Sequence, residues 1–265
     1  MAMASKVRKR WENGEAAVNG WLTIPSPVIA EIVANRNFDS VTIDMQHGLI
    51  DYQDALSMLQ ALRASGVTPI VRVLGLDPVM LGKVLDAGAL GVICPMVNTR
   101  AAAEQLVRSC KYPPGGNRSF GPLRSQLVYG SDYAAKANSS VIVFGMIETE
   151  EAVANVSDIA ETPGLDGLYI GPSDLSLSFG GKPVFDHEDG DTFLIIEAIR
   201  DAAHNANIKA GIHCVSPSYA KRMLGSGFDF VTAGADVRWF GEGLSGVFEV
   251  LSSTNTQEVG HAGYN

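Results

Sequence analysis

The feature that most constrains this chain is a rhythm of eight short apolar runs, rich in Val and Ile, each followed by a helix-like segment. The runs are Gly20–Ile24, Ser40–Met45, Pro69–Val73, Gly91–Met96, Val141–Ile147, Gly167–Ile170, Ala210–Val215 and Phe228–Ala233. They are continuous rather than alternating, as strands buried on both faces are. The segments between them read as helices over Ser26–Asn35, Asp51–Ala64, Pro78–Ala87, Thr99–Lys111, Glu150–Ala160, Phe193–Asn205, Pro217–Gly225 and Val237–Leu251. Asp77-Pro78 is an N-cap followed by a first-turn proline, and Gly66, Gly88, Gly164 and Gly227 fall where helices should stop. Strict β/α alternation specifies a parallel sheet, and eight units close it into a (β/α)8 barrel. The competing architecture, an open doubly wound sheet, usually carries a Gly-rich phosphate loop after its first strand. Here the first run leads into Thr23-Ile24-Pro25-Ser26, so the barrel is the expected fold.

Such a barrel accommodates all 265 residues in one domain, and a hydrophobic content of 46% suffices for its core. A formal charge of −9 argues against nucleic acid or an anionic membrane as the main partner. No run reaches the roughly 18 apolar residues of a membrane span. Met1–Gly14 is basic and then acidic without an apolar region behind it, so it is not read as a secretory signal. Cys94, Cys110 and Cys214 are odd in number and widely spaced. They fit neither a metal knuckle nor a disulfide framework, which points to a reducing, cytoplasmic setting. Two connections, Tyr112–Ser140 and Pro172–Thr192, are long enough to be lids or interface elements. The acids between Asp186 and Asp191 read as a solvated loop face, and His187, His204 and His261 as solvated. The polar tail Ser252–Asn265 is expected to be flexible.

Chemistry in this fold sits where strands end. Four of the runs end in charged or titratable groups: Asp44-Met45-Gln46-His47-Gly48, Arg72, Glu148, and Gly171-Pro172-Ser173-Asp174. Glu148 and Asp174 follow adjacent strands, which lie about 4.8 Å apart, so both carboxylates can reach one ion. Two protein oxygens, with the other positions left to water and substrate, suit a hard cation such as Mg2+ or Mn2+, or Co2+. The plainer reading is a loop glutamate and a capping aspartate. Arg72 interrupts an apolar run and needs a partner. It serves either an oxyanion beside the metal or a structural salt bridge across the mouth. His47 is either an acid/base whose ring is fixed by Asp44, three residues earlier, or a turn histidine before Gly48.

Taken in order, these segments resemble the HpcH/HpaI aldolase family of metal-dependent pyruvate aldolases. The matching pieces are Asp-Met-Gln-His-Gly at 44–48, Arg72, Lys-Val-Leu-Asp-Ala-Gly-Ala at 83–89, Tyr-Pro-Pro at 112–114, Ile-Glu-Thr at 147–149 and Gly-Pro-Ser-Asp-Leu-Ser at 171–176. The resemblance runs from Gly20 to Asp236. It implies a pyruvate-binding type of barrel, with Glu148 and Asp174 as ligands of a divalent metal (Mg2+, Mn2+ or Co2+). Ser173 would meet the substrate carboxylate through its backbone, Arg72 would lie beside the enolate oxygen, and His47, supported by Asp44, would be the catalytic histidine. Asp86 would assist that histidine from a neighbouring subunit, and Trp21 would be a pocket aromatic. The implied reaction cleaves a 4-hydroxy-2-oxo acid to pyruvate and an aldehyde through a metal-stabilised enolate, with oxaloacetate decarboxylation open to the same site. The implied assembly is a hexamer, a trimer of dimers, with an exchanged C-terminal helix.

Two positions depart from the family pattern. Met146 stands where some members have a substrate-binding Gln, and His213 where others have an apolar pocket residue, so both are candidate substrate-binding positions. No lysine sits at a strand end near the cluster, which argues against a Schiff-base aldolase. The competing functions are a CoA-thioester lyase of the citrate-lyase β or malyl-CoA type and a non-catalytic barrel that only binds.

Overall fold

In the structure, a computed structural model that describes residues 5–253, eight parallel strands close into a barrel in chain order. They are β1 (Ala17–Leu22), β2 (Ser40–Asp44), β3 (Thr68–Arg72), β4 (Gly91–Cys94), β5 (Ile142–Ile147), β6 (Gly167–Ile170), β7 (Lys209–Cys214) and β8 (Phe230–Ala235). Each expected run is a strand. β1 starts three residues before the run expected from sequence, because Asn19 belongs to it. This buried amide donates to Thr232 Oγ1 and accepts from Ser40 and Thr42, so a polar residue is satisfied inside the barrel. β4 stops short at Cys94 because Pro95 follows and cannot continue the ladder.

The eight expected helices form, although the segment 150–160 is two short helices broken at Asn155, whose side chain donates to the Asn98 carbonyl. Gly66, Gly88, Gly164 and Gly227 all take positive φ at helix ends, where a Cβ would be strained. The two long connections, too long in sequence for plain loops, contain helices Leu123–Tyr129, Tyr133–Ser140 and Pro172–Ser178. These helices, of seven or eight residues, are too short to show an apolar period in the sequence. The C-terminal helix runs from Asp236 to Ser253. Residues 254–265, most of the tail expected to be flexible, and His261 lie outside the described residues.

Two apolar cores hold the fold together. One lies between the strands and the helices, and the other fills the barrel. The period of two along each strand decides which residue belongs to which. In β5, Ile142, Phe144 and Met146 point into the barrel, while Val143 and Ile147 point to the helices. The same parity runs Ser40–Thr42–Asp44 in β2 and Ile70–Arg72 in β3, and it carries β5 on to Glu148. The residue that ends each inward row therefore emerges at the C-terminal mouth. The opposite end is closed by a further helix, Lys6–Glu12, not expected from sequence. Its Val7 is buried in the barrel core and its Trp11 packs edge-on against Phe144 at 5.9 Å. Arg8 fastens it, donating to Asp166 at 2.8 Å and to the Val141 carbonyl, an acceptor it shares with Lys111, which also donates to the Asn138 carbonyl.

Candidate active site

The mouth holds a cavity of about 490 Å³. Trp21, Asp44, His47, Arg72, Met146, Ser173, Asp174 and His213 all line it, so eight of the ten residues singled out in the sequence share one wall. Glu148 lies directly behind it, within 2.9 Å of where a side chain on the lining residue Gly171 would begin. Gly171 has no room for a Cβ, which would also strike the Met146 methyl. Glycine there lets the strand end approach the carboxylate.

Asp44 and Arg72 are opposite each other in the β2–β3 register. The guanidinium grips the carboxylate with two bonds, Nε to Oδ1 at 2.8 Å and Nη2 to Oδ2 at 2.6 Å. Arg72 also lies 4.8 Å over the Trp21 ring, whose Nε1 donates to Asp44 Oδ2 at 3.2 Å. Burial pushes the Asp44 carboxyl up, but Arg72 and the backbone N–H groups of Gln46 and His47 more than offset this, and its pKa is held below the usual carboxylate range. From sequence, Asp44 is expected to hold the His47 ring; in the structure its side chain pairs with Arg72 instead. Its bond to residue 47 comes from the backbone N–H at 3.3 Å. The physical reason is register: the directly opposite Arg72 offers a two-bond, charge-assisted partner that a ring three residues along the chain cannot match. The Asp44–Gly48 turn folds back so tightly that a Cβ at Gly48 would collide with the Asp44 carbonyl oxygen. This turn leaves His47 exposed at the rim, its ring without a hydrogen bond among the described residues.

Glu148 is 2% exposed and accepts one bond, from the Met96 N–H at 2.7 Å. Met96 takes a left-handed φ of 56° just after β4, an uncommon conformation for a side chain of this size. Burial raises the Glu148 pKa and the charge of Asp174 raises it further, against lowering by the Met96 N–H and Arg72. Asp174, in the first turn of the helix Pro172–Ser178, is exposed to the cavity and has no protein partner among the described residues. A buried carboxylate with one bond, its pKa raised further by a second carboxylate, is under-compensated in charge, and a divalent cation held by the two would offset that. Among the described residues no group of three or more His, Cys, Asp or Glu could hold a metal ion. Glu148 and Asp174 would offer such a cation two protein oxygens, with the remaining positions left to water and substrate.

Ser173 lies beside Asp174, and its buried Oγ has no partner. Asp86 is not brought to this site within the chain: its carboxylate pairs with buried Arg118 at 2.6 Å. Three contributors were missed in the sequence. Asp186 is not a solvated acid; it accepts from the Val215 and Ser216 N–H groups at 2.9 and 2.8 Å and clamps the long connection over the end of β7. The clamp sets Phe185 in the cavity wall, 5.9 Å from the His213 ring. Tyr169 lies beneath the floor, stacked on Trp21 at 5.9 Å and bonded to His213 Nδ1 at 3.2 Å. Its parity on β6 was the available signal. Asp236 accepts from Thr23 and Ile24 and ties the C-terminal helix to the end of β1. Of the other histidines, His187 differs from the expectation, its Nε2 being buried without a partner, whereas His204 is exposed as expected and bonds Asp229 at 2.8 Å. The three cysteines are buried and free. No helix among the described residues is long and apolar enough to cross a membrane.

Comparison with known proteins agrees with this geometry. The sequence profile described as HpcH/HpaI aldolase/citrate lyase matches residues 19–242. A hydroxypyruvate/pyruvate aldolase of Rhizorhabdus wittichii is 46% identical over 88% of this chain and 93% of its own. Another, from Pseudomonas aeruginosa, is 34% identical over 88% of this chain and 87% of its own. Among solved structures, an HpcH/HpaI aldolase/citrate lyase family protein from Burkholderia cenocepacia superposes with a TM-score of 0.86. It is 29% identical, covering 96% of this chain and 100% of that one. The match spans both the barrel and the mouth with its paired carboxylates, and the chain belongs to the HpcH/HpaI aldolase/citrate lyase family.

Proposed function

We propose that this aldolase cleaves 4-hydroxy-2-oxo acids to a pyruvate-type 2-oxo acid and an aldehyde in the mouth cavity, with Glu148 and Asp174 holding Mg2+, Mn2+ or Co2+. The observation that carries the reading is that Asp174, a buried arginine and a histidine with a free ring line one cavity, with the buried, under-compensated carboxylate of Glu148 directly behind its wall. A cation held by Glu148 and Asp174 would supply Lewis-acid polarisation of a bound 2-oxo acid. The chain's own residues do the rest. Arg72, held rigid by Asp44 and Trp21, places a fixed positive charge where negative charge develops on the keto oxygen as the C3–C4 bond breaks. His47 takes the proton of the 4-hydroxyl, whose oxygen becomes the aldehyde carbonyl as the C3–C4 bonding pair becomes the C2–C3 double bond of the enolate, and a proton returned through His47 to C3 completes the 2-oxo acid. Ser173 and its backbone orient the carboxylate end, and Trp21 and Met146 close the floor against water. The same stabilised charge forms when oxaloacetate loses CO2, so decarboxylation belongs to this site as a second activity.

We also propose that the protein works as a homo-oligomer. Phe240, Leu244, Val247 and Phe248 lie on one face of the C-terminal helix and are exposed, an apolar stripe that another copy would cover. Asp86 would then act on the His47 of a neighbouring copy. The decisive experiment is a screen of 4-hydroxy-2-oxo acids for pyruvate release coupled to lactate dehydrogenase. EDTA should abolish release and Mg2+, Mn2+ or Co2+ should restore it; full activity in chelator would overturn the metal site.

A further inference from the structure

Inside the barrel, below the cavity, runs an unbroken chain of buried polar groups. Ser40 and Thr42 donate to Asn19 Oδ1, and Asn19 Nδ2 donates to Thr232 Oγ1 at 2.9 Å. Thr232 Oγ1 lies 2.7 Å from the Tyr169 hydroxyl, which lies 3.2 Å from His213 Nδ1. Asn19, Ser40, Thr42, Tyr169 and Thr232 are all fully buried. An apolar barrel core would be simpler, and each of these groups tolerates burial only because the next one satisfies it. The chain ends at the cavity on an open position: His213 Nε2 has no hydrogen-bond partner among the described residues. The ring cannot turn away to find one. Trp21 packs edge-on against it at 4.8 Å, and Phe185 lies on another side at 5.9 Å.

We infer that His213 reads a hydroxyl group on the substrate carbon chain, and that Tyr169 positions it to do so. The inference rests on the aldolase reading above and adds the substrate class to it. Burial, and then the nearby charge of Arg72, push the His213 pKa down to about 4, so the ring meets substrate uncharged. A neutral imidazole bonded at Nδ1 presents either N–H or a lone pair at Nε2, according to the direction of the Tyr169 bond. A hydroxyl donates and accepts, so it satisfies either form. A methyl group in the same place leaves the nitrogen desolvated and unpaired. The hydroxyl can enter on the 2-oxo acid or on the aldehyde, since both occupy one cavity.

Isosteric pairs separate these sources. In the metal-loaded full chain, kcat/KM is measured for hydroxypyruvate against 2-oxobutanoate with a common aldehyde, and for glycolaldehyde against propanal with pyruvate. The wild type should favour the hydroxyl compound by about tenfold or more in one arm. His213→Leu should erase that preference, His213→Gln should retain part of it, and the other arm should not move. Tyr169→Phe keeps the ring packing and removes only the hydroxyl. It should lower the preference several-fold, mainly through KM for the hydroxyl compound, and it decides the matter alone if His213→Leu does not fold. A wild type without preference in either arm, or a preference unchanged in the folded variants, overturns the inference. Absence of any metal-dependent product from the wild type is a separate result that overturns the aldolase reading itself.

Discussion

The two ends of the barrel solve opposite problems with similar residues. At the closed end, Arg8, Lys111 and Asp166 form a mutually satisfied set: Asp166 accepts from Arg8 and from the Val143 N–H, and Lys111 lies 3.8 Å away on two backbone carbonyls. At the mouth, Asp174, the His47 ring, Ser173 Oγ and His213 Nε2 lack protein partners among the described residues, and Glu148 has one. Satisfied polar groups hold a fold in one state, whereas unsatisfied ones are held ready for something the chain does not contain. The Asp44–Arg72 pair lies between these extremes. It is fully bonded, yet it presents its charge to the cavity.

The sharpest way to break the comparison is at Glu148. Glu148→Gln removes a charge that the fold buries without full compensation, so the metal-free protein should melt no lower than the wild type. Activity should fall about 1,000-fold or more, because the cation's contribution is worth several kcal/mol. A variant that melts much lower in chelator would show Glu148 to be structural, like the closed end. Asp166→Ala is the converse experiment. It strands Arg8, Lys111 and the Val143 N–H, and it should cost about 3 kcal/mol of stability while leaving kcat of the folded enzyme near wild type. Chemical denaturation and steady-state kinetics check both halves. The smallest effect concerns pH. His213 moves from an ordinary value of 6.5 to about 4 in the barrel. Between those values the unfolded chain binds more protons than the folded one, so stability rises with pH through that window and is lost as pH falls from about 6.5 toward 4. The wild type should therefore lose more Tm than His213→Leu between about pH 7 and pH 5. Equal losses would remove His213 from the buried polar chain.

Much of the site was legible because one rule did double duty. Inward parity along a strand, followed to its last residue, places Asp44, Arg72 and Glu148 in the mouth without any knowledge of loops. The same parity would have found Tyr169, on β6 between the inward positions 167 and 171, had aromatic residues been considered along with charged ones. What could not be read was pairing. Asp44 has His47 three residues away and Arg72 twenty-eight residues away, and only the register of β2 on β3 makes the distant residue the partner. Asp186 looked solvated because its partners are two backbone N–H groups about thirty residues later, which carry no sequence signature.

By itself, the sequence determined the closed barrel, the end of it that would be open and the set of charged residues facing that opening. These follow from local periodicities of two and of about 3.6, which a chain displays whether or not it is folded. The tertiary structure alone decided that Arg72 belongs to Asp44, that Asp86 turns to Arg118, and that a buried chain of hydroxyls and an amide ends at His213. Those outcomes depend on distances between residues far apart in sequence, and such distances exist only once the eighth strand has closed on the first.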